Sequence, residues 1–287
     1  MGWNRVVPKK DCLVLVGIMV IDRPLTTEKC FKQLFKMTNR KDMTIVVIDN
    51  NSNTQTKDVL EKYRKDLDII VHNDFNIGCA FGVNQYMSYR VPGQHVININ
   101  VDAHILVEDW LPTMLKVINW EDMGTVSGRR PTLWFDQGRW DIYKNHAVIE
   151  EREGIFVEHV QNQIIGPWWM LKGEVIDKIG YMNESTCIDD IDHSVRVTRL
   201  GLKNVYLPDV VILQPQDEVQ SHPEYKANRT MVLQNWERHI AILSQYNKEN
   251  LYCGSRFVKG SIADKTYQEM SDKNWIFFKE WSKRGLE

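Results

Sequence analysis

The sequence has no excess charge of either sign, no paired cysteines and no long apolar run. Over 287 residues the formal net charge is −2. That removes the global footprint of a nucleic-acid binder, while leaving room for a local basic face. The five cysteines, Cys12, Cys30, Cys79, Cys187 and Cys253, include no CxxC pair. An odd, scattered set argues against a disulfide framework and a cysteine zinc site, and it points to a reducing, cytoplasmic interior. The longest apolar run, Cys12 to Ile21, is too short to cross a bilayer as a helix, so no transmembrane segment is expected. It also lacks the cleavage pattern of a secretory leader. The sequons at Asn50, Asn183 and Asn228 then read as chance matches. GxxxxGK[ST] and GxGxxG are both missing, which excludes a P-loop and a dinucleotide fingerprint.

What is present is an ordinary globular composition, 43% hydrophobic and 26% charged, with no repeat or low-complexity tract. Its length suits one large domain, or one domain with an appendage. Apolar strands in "CLVLVGIMVI", "TIVVID", "LDIIVH" and "HVININV" alternate with helical stretches. That alternation predicts crossover units and an α/β fold with a mostly parallel central sheet flanked by helices. Such sheets bind ligands at the carboxyl ends of their strands, where Asp49, Asn76 and Asp102 fall. From about Asp109 the pattern changes. "GIFVEHVQNQIIGPWWMLKG" reads as strand, turn, strand. "EVIDKIG" and "DDIDHSVRVTRLG" read as helices closed by Gly180 and Gly201, "NVYLPDVVIL" as a last strand, and the chain after Gln214 as helical.

Six segments carry candidate chemistry. In "VDAHI", Asp102 and His104 stand two apart; in an extended segment both point the same way and reach one divalent ion. Imidazole suits manganese better than magnesium. The plain alternative is an acid near a helix start beside an incidental histidine. Asp49 ends a strand and is able to accept a ring N–H of a pyrimidine base, or simply to shape the "DNNSN" turn. Small residues in "NIGCAFGVN", from Asn76 to Asn84, let a helix start approach an anion, or let the helix pack closely on the sheet. Asp189, Asp190 and Asp192 offer a general base for an acceptor hydroxyl, or merely complement a helix dipole. Trp168 and Trp169 offer a sugar platform; adjacent strand residues face opposite ways, so at most one serves and the other is core. His222 follows the last strand as a further metal or phosphate contact, or as a solvated loop residue.

The order of "VVIDNNSN", "NIGCAFGVN", "NINVDAHI", "IGYMNE" and "DDIDHSVR", from about Leu13 to Leu213, resembles the family-2-type glycosyltransferases of GT-A fold. The resemblance implies that Asp49 binds the donor base and that Asn76, Gly78 and Asn84 lie near the nucleotide. It makes Asp102 the metal-binding acid and Asp190 the catalytic base of the family's acidic pair, with Asp189 in place of the glutamate. Members with that pair usually invert the anomeric centre. Asp-Ala-His in place of the usual DxD resembles the DxH variant of polypeptide N-acetylgalactosaminyltransferases. That variant keeps its metal and recruits a further histidine, which brings in His222. The family's first-strand "PTYNR" is replaced by "VIDRP", so no role carries over to Asp22.

On this reading residues 1–215 form the GT-A domain, with a nucleotide-binding half to about 108 and an acceptor half beyond it, and residues 216–287 form a helical extension packed on it. The expected reaction is metal-dependent transfer from a nucleoside diphosphate sugar, a UDP-sugar being favoured, with Mn2+ or Mg2+. Arg129 and Arg130 are expected to help with phosphate or acceptor. The acceptor is a saccharide or a hydroxymethylated pyrimidine in DNA; Arg256, Lys259, Lys265, Lys279, Lys283 and Arg284 serve a DNA backbone in the second case, or, with acids interspersed among them, form an ordinary solvated face. Two alternatives stay open: a non-catalytic nucleotide-sugar or glycan binding module, and a sugar nucleotidyltransferase.

Overall fold

The computed structural model describes residues 12–129, 148–160, 167–186, 189–214, 230–231 and 233–283. At its centre β1 (Val14–Val20) runs parallel to β2 (Met43–Asp49) on one side and to β4 (His95–Asn100) on the other. β3 (Ile69–His72) lies parallel outside β2. These strands are covered on both faces, so β1 shows an unbroken apolar run rather than an alternation. Val14, Val16, Ile18 and Val20 share one core with Phe31 and Leu34 of α1 (Pro24–Met37) and with Trp110 and Met114 of α4 (Trp110–Ile118). Leu15 faces the other core, with Phe81 and Tyr86 of α3 (Cys79–Met87).

Local signals set the helix ends. Pro24 occupies the first turn of α1, where its missing N–H costs nothing. Asn53 Oδ1 accepts the Thr56 N–H at 2.9 Å and caps α2 (Thr54–Lys62), a contact worth about 1 kcal/mol. α3 lies so close to β1 that a Cβ on Gly17 would stand 2.3 Å from the Tyr86 ring.

The second half extends the same sheet, in the order β3-β2-β1-β4-β9-β6-β10-β8-β7. Here β6 is Met123–Arg129, β7 Val148–Arg152, β8 Ile155–Val160, β9 Trp168–Leu171 and β10 Lys203–Leu213. The two strands read in 154–173 do not neighbour each other. β9 inserts antiparallel between β4 and β6, while β8 pairs with β10 and β7. α5 (Gly173–Ile179) closes at Gly180, φ 74°, and α6 (Asp189–Arg199) is followed by Gly201, φ 83°. Both stops need the left-handed region that glycine enters freely.

The register of β10 shifts between Leu207 and Val211, around Pro208, which has no N–H to donate to the ladder. Beyond that irregularity the strand pairs antiparallel with β5 (His104–Ile105), matching Leu213 with His104. The end of β10 is thereby laid beside the segment that follows β4.

The C-terminal helices α7 (Trp236–Gln245) and α8 (Lys265–Lys283) share the α3-side core through Leu243 and Phe278. Trp275 meets Phe75 and Phe81 edge-on, at 5.0 and 5.3 Å between centroids. Fully buried Glu184 accepts from Asn84 Nδ2, Ser255 Oγ and Ser271 Oγ, tying α3, the 254–256 turn and α8 together.

Candidate active site

β1 and β4 are parallel neighbours, so the segments leaving their carboxyl ends emerge side by side, the place where open α/β sheets bind ligands. Arg23, between β1 and α1, reaches from one segment to the other: its Nη1 lies 3.8 Å from Asp102 Oδ2, with the two side chains 11% and 7% exposed. Gln214, immediately after β10, donates its Nε2–H to the same oxygen at 2.8 Å. Asp102 does not lie in an extended strand. The Ala103 N–H bonds back to Asn100 O at 2.8 Å, so a turn rather than a pleat links Asp102 to His104. The alternation argument for the pair is therefore corrected.

His104 is half-buried, and its Nε2 is enclosed with no hydrogen-bond partner among the described residues. Burial, and secondly Lys29, push its pKa below the ordinary imidazole value, with Asp102 opposing them. A carboxylate and a neutral imidazole with an orphaned nitrogen make a mixed oxygen and nitrogen donor set that suits first-row divalent cations such as Mn2+ or Zn2+. The residues present thus fit a divalent ion in kind. Among the described residues no group of three or more His, Cys, Asp or Glu side chains converges on one point. His222 lies outside the described residues.

The acid helix α6 divides its carboxylates between two tasks. Asp192 is fully buried and belongs to the frame. Its Oδ2 accepts from Arg196 Nη2 and Nε, and from the Asn183 N–H at 3.1 Å; its Oδ1 accepts from Tyr246 OH at 2.7 Å. Arg196 donates onward to the carbonyls of Ile179 and Tyr181, both at 2.7 Å. A buried pair with this many partners is tolerable where an unpaired charge is not. Asp190 is only half-buried in the first turn, where its Oδ1 accepts the Ile191 N–H at 2.9 Å. Asp189 opens α6, and its side chain lies outside the described residues.

At the other edge, Asp49 is fully buried with both carboxylate oxygens engaged. Oδ1 accepts the Ser52 N–H at 2.8 Å, and Oδ2 meets His72 Nδ1 at 2.7 Å. Asn73 donates to Asn50 Oδ1 and Gln85 Oε1, fixing the turn beyond β3. Asn76 Oδ1 accepts the Gly78 N–H at 2.9 Å and shapes the entry to α3. The conformation of Gly78, φ 79°, serves packing: a Cβ there would stand 2.3 Å from the Phe278 ring. Asp22, also at positive φ, accepts the Asn53 N–H and ties the turns after β1 and β2 together.

Three expected contacts are corrected. Asn84 is fully buried, donating to Met182 O and Glu184 Oε1 and accepting the Met182 N–H, so it presents nothing to a nucleotide. Trp168 and Trp169 are 1% and 0% exposed. β9 is central, so both of its faces are covered: Trp168 packs on Trp110 at 4.8 Å and Trp169 on His193 at 4.5 Å. Neither forms a sugar platform. Arg129 ends β6, ion-paired with Glu158 at 3.2 Å, and Arg130 lies outside the described residues.

Arg23, Gln214 and His72 were not singled out from the sequence. Each stands at or just beyond the end of a strand, so the rule that selected Asp49 and Asp102 selects them once the strand ends are known.

Residues 16–180 match the model of a family described as glycosyl transferase family 2. The fold is similar to that of the mannosyltransferase PcManGT from Pyrobaculum calidifontis, solved with GDP-Man and Mn2+. That match has a TM-score of 0.63 at 16% identity and covers 96% of this chain and 77% of that one. It is also similar to GalNAc-T7 with UDP, GalNAc and Mn2+, at TM-score 0.57 and 13% identity over 95% of this chain and 56% of that one. S. aureus TarS in complex with UDP matches at TM-score 0.50 and 14% identity, over 79% of this chain and 72% of that one. No curated protein sequence matches significantly. At these identities the structural likeness is one of fold.

Proposed function

The chain belongs to glycosyl transferase family 2, and we propose that it moves one sugar, with inversion, from a nucleoside diphosphate donor to an acceptor hydroxyl. The observation that carries this reading is the Asp102 carboxylate, held between Arg23 and Gln214 beyond the carboxyl ends of β1 and β4, with the orphaned His104 nitrogen two residues on. Residues 1–215 form the transferase domain, the first 108 serving the donor and the rest the acceptor, and residues 216–287 brace both halves.

In the reaction, Asp190 takes the acceptor proton as the acceptor oxygen bonds to the anomeric carbon. The bond from that carbon to the diphosphate oxygen breaks, and the electron pair leaves with the diphosphate. Arg23 stands where it neutralises the charge that builds on the leaving group. Asp102 and His104 are the residues that would hold a divalent cation, which would supply further charge neutralisation on the leaving diphosphate. The Mn2+ in the complexes of PcManGT and GalNAc-T7 supports a divalent cation as the cofactor.

A UDP- or GDP-sugar donor is favoured by the nucleotides bound to the similar structures. The acceptor is read as a saccharide or a hydroxymethylated pyrimidine in DNA. Of the basic residues considered for a DNA backbone, Arg256 stacks on Trp275 at 4.1 Å and pairs with Asp272 at 2.9 Å, whereas the Lys265 and Lys283 side chains are exposed. A thermal-shift panel of nucleotide-sugars with and without Mn2+ tests the reading. One donor class is expected to raise the melting temperature, and to do so only with the metal. No shift with any donor would contradict it.

A further inference from the structure

The carboxylate expected to read the donor base is shut off from solvent. Asp49 is 0% exposed, and both of its oxygens are taken, by the Ser52 N–H and by His72 Nδ1. Its partner is not shut off: the His72 side chain is 45% exposed, at the carboxyl end of β3. Neighbouring strands stand about 4.8 Å apart, and β2 and β1 lie between β3 and β4, so the end of β3 that carries His72 is about 14 Å across the sheet from the end of β4 that leads to Asp102. Base and diphosphate would then occupy the two ends of one row of strand ends.

We propose that His72 is the side chain that touches the donor's nucleobase, and that Asp49 is a positioning residue acting through it. The proposal rests on the nucleoside diphosphate reading and names what selects the base. An ionised carboxylate only accepts, so Asp49 holds the proton of a neutral His72 on Nδ1. Nε2, for which no partner is found among the described residues, is then the acceptor on a side chain that is 45% exposed. An outward acceptor selects a base that presents a ring N–H, as uracil and guanine do. It faces a lone pair on the corresponding nitrogen of cytosine or adenine. The imidazole is held in place because the Asn73 N–H bonds to Asp49 O at 2.9 Å and the Asn73 side chain is tied to Asn50 and Gln85.

The Ser52 N–H makes the relay testable. In Asp49→Asn, the amide has to turn its oxygen toward that N–H, which leaves its NH2 facing His72 Nδ1. The imidazole proton then moves to Nε2, and the outward group becomes a donor. The base preference is expected to invert, with no change in the shape of the site.

The experiment is calorimetric titration of UDP, GDP, CDP and ADP, with Mn2+ at pH 8, into the full chain and into Asp49→Asn and His72→Phe. In the wild type, UDP or GDP is expected to bind about tenfold more tightly than CDP and ADP, the usual scale of one hydrogen bond gained against one refused. His72→Phe keeps a ring but no acceptor, and is expected to erase the preference. Asp49→Asn is expected to turn it toward CDP and ADP. A merely structural Asp49 would weaken all four ligands alike, and that outcome overturns the proposal. An unchanged ranking in His72→Phe overturns it as well, while leaving the transferase reading intact. Failure of all four nucleotides to bind the wild type overturns both.

Discussion

Arg23 and Asp102 meet beyond the carboxyl ends of β1 and β4, with 3.8 Å between guanidinium and carboxylate, and both side chains are largely buried. The contact joins the loop after the first strand to the loop after the fourth. It sets a cation and an anion where a diphosphate and a metal ion would each find a partner. Arg23→Gln is expected to lower kcat about a hundredfold, the scale for removing one preorganised electrostatic partner of a leaving group. The circular-dichroism melting temperature should hardly change. Unaltered turnover would remove Arg23 from the site.

Asp190 and Asp192 stand two residues apart on α6 and are expected to fail differently. Asp190→Asn should cut transfer by about a thousandfold, as for a lost general base, with donor affinity measured by titration retained. Asp192→Ala leaves buried Arg196 unpaired and should cost about 3–5 kcal/mol in denaturant unfolding. Equal loss of donor binding and turnover in Asp190→Asn would reject its role as base.

Stability should fall in acid through His239. The residue is fully buried on α7, and neither ring nitrogen has a partner among the described residues. Burial, with Arg238 beside it, lowers its pKa from 6.5 to about 4. The folded state therefore prefers the neutral ring. Its contribution is complete above pH 6.5 and is lost as pH falls from 6.5 to about 4, on the order of 3 kcal/mol in all. Chemical unfolding at pH 7 and pH 4.5 measures it, and His239→Phe should flatten the slope in that window.

Phe278 of α8 fills the space beside Gly78 and meets Phe81 edge-on at 6.2 Å. Phe278→Ala is expected to destabilise the fold by about 3–5 kcal/mol in urea unfolding. It should also weaken donor binding, because the turn from Asn76 to Gly78 loses its backing.

Much of the fold was legible because the early strands obey local rules. Apolar runs end in Asx-rich turns, and helices of matching length separate them. The later part was not legible, because its pairings are long-range. Nothing local in "WWML" says that β9 will slip between β4 and β6, and that placement buries both tryptophans. The polar residues divide in the same way. Asp102 and Asp190 were marked by strand and helix ends. Asn84 read as a ligand contact because its true partner, Glu184, lies 100 residues further on. Asp49 read as an open carboxylate because its closing partner, His72, comes from the next strand, 23 residues away.

The account turns on Asp102 and His104 as the residues that would hold a divalent cation. Its most direct test is calorimetric titration of UDP and GDP into the wild type and into Asp102→Asn, each with Mn2+ and with a chelator. The account predicts that one nucleotide binds the wild type at least tenfold more tightly with Mn2+ than without, and that Asp102→Asn loses that difference. Equal affinity with and without the metal in the wild type, or an undiminished metal effect in Asp102→Asn, would contradict it.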